Sequence, residues 1–209
     1  FINNIADREG GAISLQVIGY VLIDNCTFDG NRGGQNPDGN QYEFGGAVYF
    51  LPDFNNAKGH YSEENNGEWI YSENMTLLNS KFVNNQARDA TAVYVSTSDH
   101  TKFIVNGCNF EDNVNANRKN YTIVSRAFEF YFEKSKIEFV NRNQAVAGIR
   151  SKSAFTSITN SEFINNCISD NSQAESVFIE RDVEELEISD STFLDCGKNN
   201  HNYPAVKIF

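Results

Sequence analysis

Apolar and polar positions alternate along this chain in short runs, and the runs come back in the same order. One phrase, Gly10-Gly-Ala-Ile-Ser-Leu15, returns as Gly45-Gly-Ala-Val-Tyr-Phe50 and as Thr91-Ala-Val-Tyr-Val95. Looser versions are Arg126-Ala-Phe-Glu-Phe130, Ala147-Gly-Ile-Arg150, Ser176-Val-Phe-Ile179 and Pro204-Ala-Val-Lys-Ile208. Alternation with period two marks a strand with one buried face. A second phrase, Phe-x-x-Asn, stands at Phe1, Phe28, Phe82, Phe110 and Phe163, with looser copies at Phe139 and Phe193.

The residues leading into each Phe repeat as well. Five positions back are Ile23, Leu77, Val105, Ile158 and Ile188; seven back are Val21, Met75, Phe103, Thr156 and Leu186. Three back are Asn25, Asn79, Gly107, Asn160 and Asp190, residue types that tolerate a left-handed backbone and so turn the chain sharply. Successive Phe anchors are 27, 54, 28, 29, 24 and 30 residues apart, and the 54 reads as one coil carrying insertions. A unit of that length with three short strands is one turn of a parallel solenoid. The pattern predicts an all-β, single-stranded parallel β-helix of about six to seven coils, occupying residues 1–209 as one segment.

Three inward ladders are expected. One runs Ile13, Val48, Val93, Phe128, Ile149, Val177, Val206. Another runs Leu15, Phe50, Val95, Phe130, Ile179, Ile208. The third is the Phe column with Phe139 as a member. No coil buries these alone, so the array is stable only when stacked. Polar insertions are expected at about 32–44, 52–73 and 114–124; in solenoids such loops often build the binding side.

Composition narrows the options. Forty per cent apolar residues, with 17 Phe and 9 Tyr, suffice for a core. A formal charge of −11 argues against nucleic acid. No run approaches the roughly 18 apolar residues of a membrane helix, so this segment is not expected to insert in a membrane. The chain begins on Phe1 and ends inside a strand pattern, which reads as a piece of a longer chain whose neighbouring segments would be partners. The four cysteines lack metal-ligand spacing, and neither metal nor cofactor is expected. Cys26 and Cys108 point inward two coils apart, beyond disulfide reach. Cys167 and Cys196 share a corner of neighbouring coils, where a disulfide is geometrically possible. Asn25, Asn74 and Asn120 open glycosylation sequons.

The outward positions of the Gly-Gly-Ala strand are where chemistry could sit. Tyr49, Tyr94, Tyr131 and Phe178 would form an aromatic band suited to a protein or glycan partner. Glu129 and Arg150 fall on adjacent coils, with Lys152, Glu180 and Arg181 nearby. Such a grouping is read as a cross-strand ion pair; as an alternative it is the site of a polysaccharide-active enzyme, which needs converging carboxylates. No catalytic residue is assigned. His60, His100 and His201 fall in loops without matching spacing.

The paired Gly-Gly-Ala-Ile and Phe-x-x-Asn phrases resemble the repeats of the polymorphic outer membrane proteins, surface adhesins first described in Chlamydia, and of related large surface proteins of some protists. The resemblance implies a right-handed β-helix displayed outside the cell. With it, the expected role is a non-enzymatic extracellular or cell-surface glycoprotein module, a stalk or adhesive surface. The alternatives are a polysaccharide-active domain and a component of a filament.

Overall fold

The computed structural model describes residues 1–17, 19–34, 44–52, 60–62, 68–70, 73–96, 101–114, 121–140, 147–166, 176–180, 183–196 and 204–209. Those residues contain no helix. Their strands stack into three parallel sheets of seven, six and six strands, so that each six-stranded sheet makes about five turns from first to last strand.

The first sheet is built from Ile13–Val17, Val48–Pro52, Val93–Val95, Tyr121–Ser125, Ala147–Ser151, Val177–Ile179 and Val206–Ile208. The second takes Tyr20–Asp24, Glu73–Leu78, Thr101–Asn106, Glu129–Glu133, Phe155–Thr159 and Glu185–Ser189. The third takes Thr27–Asp29, Lys81–Val83, Asn109–Glu111, Lys136–Glu138, Glu162–Ile164 and Thr192–Leu194. The chain visits the sheets in that order on every turn. Phe28 pairs directly with Phe82, so the long gap between them is a single coil. Within it, His60–Ser62 and Glu68–Ile70 form a small antiparallel pair, which puts His60 on a strand rather than in a loop.

The corners obey the residue types found there. Asn25, Asn79, Gly107, Asn160 and Asp190 have φ of 52°, 47°, 67°, 50° and 48° between the second and third sheets. Gly10 and Gly45 turn the chain into the first sheet at φ 61° and 65°, and Ala90 takes that place at 55°. The second glycine of each pair answers a different need: a Cβ on Gly46 would lie 2.0 Å from the Thr91 carbonyl oxygen.

Stacking fills the column. Rings of Phe1, Phe28, Phe82 and Phe110 lie face to face at centroid spacings of 4.8, 4.7 and 4.7 Å, near the inter-strand step. From Phe28 onward these rings are fully buried, a contribution of about 1.5–3 kcal/mol for each side chain withdrawn from water. Beside them runs a side-chain amide ladder. Asn4 Nδ2 donates to Asn31 Oδ1 at 2.8 Å, Asn31 to Asn85 at 2.9 Å, and Asn85 to Asn113 at 2.9 Å. Each Oδ1 also accepts from the backbone N–H of the Asn before it.

The fourth coil departs from expectation. The Phe column passes through Ile137, not Phe139: the register is Phe110↔Ile137↔Phe163. Phe139 is buried two residues further on. The first-sheet strand of this coil is Tyr121–Ser125, so Ile123 and Ser125, rather than Phe128 and Phe130, continue the two inward ladders. Phe130 belongs to the second sheet between Phe103 and Thr156, and Phe128 is 45% exposed. The stretch expected as an insertion at 114–124 therefore includes strand residues 121–124. The cause is burial. All five residues Tyr121–Ser125 are buried, so both faces of this strand are covered and it loses the alternation by which a half-buried strand is found.

Candidate functional site

On the outer face of the first sheet one column reads Ser14, Tyr49, Tyr94, Val124, Arg150, Phe178, Lys207. Four of the expected positions, Tyr49, Tyr94, Arg150 and Phe178, thus fall together, with exposed Lys152 just beyond the strand end. The shift of the fourth coil removes the other two. Glu129 and Tyr131 lie on the second sheet, and Val124 occupies the place expected of Glu129. Arg150 and Glu129 are not neighbours. Arg150 instead meets Glu180, Nε to Oε1 at 2.6 Å. Arg181 lies outside the described residues, as do His100, His201, Asn120 and Cys167.

The aromatic band is not an open surface at its N-terminal end. Tyr49 and Tyr94 are 8% and 3% exposed, stacked at 5.6 Å, and the Phe44 ring packs against Tyr94 at 4.3 Å. With Ala90, Tyr121, Val124 and Ala147 they form a second apolar cluster outside the column. Burial, helped by Glu9 and Tyr94, pushes the Tyr49 hydroxyl up to about 12. Burial also raises Tyr94, against the pull of Arg126. Phe178, at the other end, is half-buried between Tyr121 at 6.1 Å and Phe209 at 5.5 Å.

A polar group stands beside these rings. Asp89 precedes the left-handed Ala90; burial raises its carboxyl, while Arg150, Arg126 and a hydrogen bond from the Ala90 N–H hold it down. Arg126 lies over Tyr94, its guanidinium carbon 5.8 Å from the ring centroid. Neither Asp89 nor Arg126 is visible as a site residue in the sequence. Asp89 sits in a corner rather than a strand, and Arg126 takes its place only once Tyr121–Ser125 is recognised.

The second-sheet face is more open. Tyr131 donates its hydroxyl to Glu129 Oε2 at 2.9 Å, Lys102 Nζ reaches the same oxygen at 3.1 Å, and Lys102 also caps the Tyr131 ring at 4.4 Å. Burial disfavours the Lys102 charge, but the Glu129 carboxylate outweighs it and raises its pKa. Phe155 packs against Tyr131 at 5.2 Å, and Tyr20 and Leu22 at the start of this sheet are 62% and 49% exposed. The third-sheet face carries ion pairs, Lys81–Glu111 at 3.2 Å and Lys136–Glu138 at 2.7 Å. Pairs this exposed contribute little.

Asn25 is exposed at a left-handed corner, whereas Asn74 is half-buried in a strand with its Oδ1 accepting from the Lys102 N–H. Cys26, Cys108 and Cys196 are free thiols. Cys196 replaces Asn at the end of the corner column, with Sγ 3.4 Å from the Phe163 carbonyl oxygen. Among the described residues no three His, Cys, Asp or Glu side chains gather as metal ligands, and no helix is long and apolar enough to cross a membrane.

No protein-family description, curated protein or solved structure gives a significant match to the chain. The parallel solenoid itself is the level at which it is classified.

Proposed function

We propose that this chain is a non-enzymatic module of an extracellular or cell-surface protein related to the polymorphic outer membrane proteins. In this reading it is a rigid stalk whose side faces bind a protein or glycan partner. The observation that carries it is the division of labour among the faces. The interior is filled by stacked side chains, the third sheet carries ion pairs such as Lys81–Glu111 and Lys136–Glu138, and the second sheet leaves Tyr20, Leu22, Tyr131 and Phe155 at or near the surface beside hydrogen-bonding groups. Aromatic rings with a polar handle, held on a flat rigid face, suit recognition. Glu129 is engaged by Tyr131 and Lys102 and lies on a different sheet from Arg150, so the Glu129–Arg150 neighbourhood expected from the sequence is not formed.

The test is adhesion of beads carrying the whole chain to cells and to immobilised glycans. Tyr131→Ala is expected to lower bead retention several-fold while Lys81→Ala on the third sheet leaves it unchanged. Retention equal for all three proteins would overturn the assignment of the face. Release of reducing ends or unsaturated sugars from a polysaccharide panel would overturn the non-enzymatic reading.

A further inference from the structure

The second-sheet face shows, within the chain itself, how it holds a cation. Lys102 Nζ lies 3.1 Å from Glu129 Oε2 and 4.4 Å from the centroid of the Tyr131 ring, so one ammonium is gripped by a carboxylate and a ring face together. The same parts recur on the next rungs. Phe155 pairs with Glu129 and is followed in that column by Glu185, while Glu187 lies in the neighbouring column, across Ser157 from Tyr131. The Phe155 ring packs on Tyr131 at 5.2 Å and stays half-buried. Among the described residues no Lys or Arg joins either this second ring or Glu185. Ring and carboxylate are thus repeated without a cation of the chain's own.

Charge and spacing select the occupant. On the strands Glu129–Glu133, Phe155–Thr159 and Glu185–Ser189 four glutamates face outward, and these strands contain no Lys or Arg. In a chain of net charge −11 that field draws a basic partner. Glu129 and Glu185 lie two strand steps apart, about 9.6 Å, with the Phe155 ring between them, a setting for a weakly hydrated organic cation such as guanidinium. In the neighbouring column Ile104 lies two rungs before Phe155, and Leu22, 49% exposed, two rungs before that. A free amine cannot use these apolar positions, but a polypeptide can. In a polyproline II segment residues three apart recur on one side every ~9.3 Å, close to the two-strand step. We propose that Phe155, Glu185 and Glu187 seat an arginine side chain of a partner protein, whose apolar residues three and six positions away rest on Ile104 and Leu22. The inference rests on the reading of the second-sheet face as an adhesive surface and names its partner as a basic protein segment.

Fluorescence anisotropy of the whole chain with a fluorescein-labelled, capped Leu-Pro-Pro-Leu-Pro-Pro-Arg peptide, and with the same peptide in reverse order, tests it. One direction is expected to bind, with Kd raised about five-fold or more by Glu185→Gln and by Phe155→Leu. Glu185 is exposed, so Glu185→Gln should keep the wild-type circular dichroism and unfolding midpoint. Glu162→Gln makes the same change of charge on the third sheet and should leave Kd at the wild-type value. Absence of binding in both directions, a Kd unmoved by Glu185→Gln, or equal weakening by Glu185→Gln and Glu162→Gln would each overturn the seat, the last leaving only attraction to bulk charge. Binding undiminished when both leucines of the peptide become glycines would overturn the protein segment in favour of a free cation. If no peptide binds while beads still adhere through the Tyr131 face, the adhesive module stands and only its basic partner falls; loss of both removes the reading beneath it.

Discussion

Exchanging the sizes of two side chains in the fourth coil probes how the column tolerates its irregular rung. Ile137 interrupts a stack of phenylalanines, and a stack of smaller residues, Ile23, Leu77, Val105, Ile158 and Ile188, is interrupted by Phe132. The two exceptions compensate. The Phe132 ring tilts into the gap, 6.2 Å from Phe110 and 5.6 Å from Phe163, the two rings that sandwich Ile137. Both exceptions are fully buried. Phe132→Ile alone removes about three carbons from a filled space, a loss of about 2–3 kcal/mol at ~0.8 kcal/mol each, before any cavity cost. Ile137→Phe alone overpacks the same space and should cost about 1–3 kcal/mol. The double exchange restores total volume and the regular stack, so its cost should fall below ~1.5 kcal/mol. The resulting coupling of about 2–3 kcal/mol is measurable by urea denaturation followed by far-ultraviolet circular dichroism. A double variant whose loss equals the sum of the singles within ~0.5 kcal/mol would refute the compensation.

Other consequences follow from the ladders and corners. Asn85→Ala strands the Asn31 backbone N–H, takes one of the two partners of Asn31 Nδ2 and removes the donors to the Phe28 carbonyl oxygen and to Asn113 Oδ1, which keeps the Asn85 N–H; it should destabilise by at least ~2 kcal/mol in the same denaturation assay. Gly46→Ala places a methyl group where the Thr91 carbonyl already sits and should lower the thermal midpoint by more than Gly19→Ala, whose Cβ meets nothing. Burial lifts Tyr49 from 10.0 to about 12 and the Cys108 thiol from 9.0 to about 11. Raised values mean the folded state holds these protons more tightly, so their contribution is complete below pH ~9 and lost as pH climbs through 11 to 12. Tyr49→Phe should therefore flatten the top of the stability–pH curve between pH 10 and 12, read as unfolding midpoint against pH. Cys108 should resist alkylation at pH 8 until the chain is unfolded, checked by mass spectrometry with and without urea.

The residue pattern alone determined the solenoid, its single-rung reading of the long gap, and most of the columns. It could do so because each corner demands a left-handed backbone, which few residue types supply, and because identical positions stack at one strand spacing. Ile23 over Leu77 over Val105, and Asn25 over Asn79, are legible from that rule without coordinates. The fourth coil was not. Arg126-Ala-Phe-Glu-Phe130 alternates well and Phe139-Val-Asn-Arg142 imitates the anchor phrase, yet neither takes the expected place, because Tyr121–Ser125 is buried on both faces and Phe132 supplies the ring that Ile137 lacks. The slip from Phe139 to Ile137 is two residues and conserves the in–out alternation, so the local pattern cannot detect it, whereas the first-sheet strand moves five residues, from Phe128 to Ile123, onto a stretch that has no alternation to read. Only stacking against the neighbouring rungs decides between the registers. That decision moved Glu129 and Tyr131 to another sheet, enclosed Tyr49 and Tyr94, and laid Arg126 over the Tyr94 ring. Sequence wrote the column; the packing of each rung on the next chose which side chains share a face.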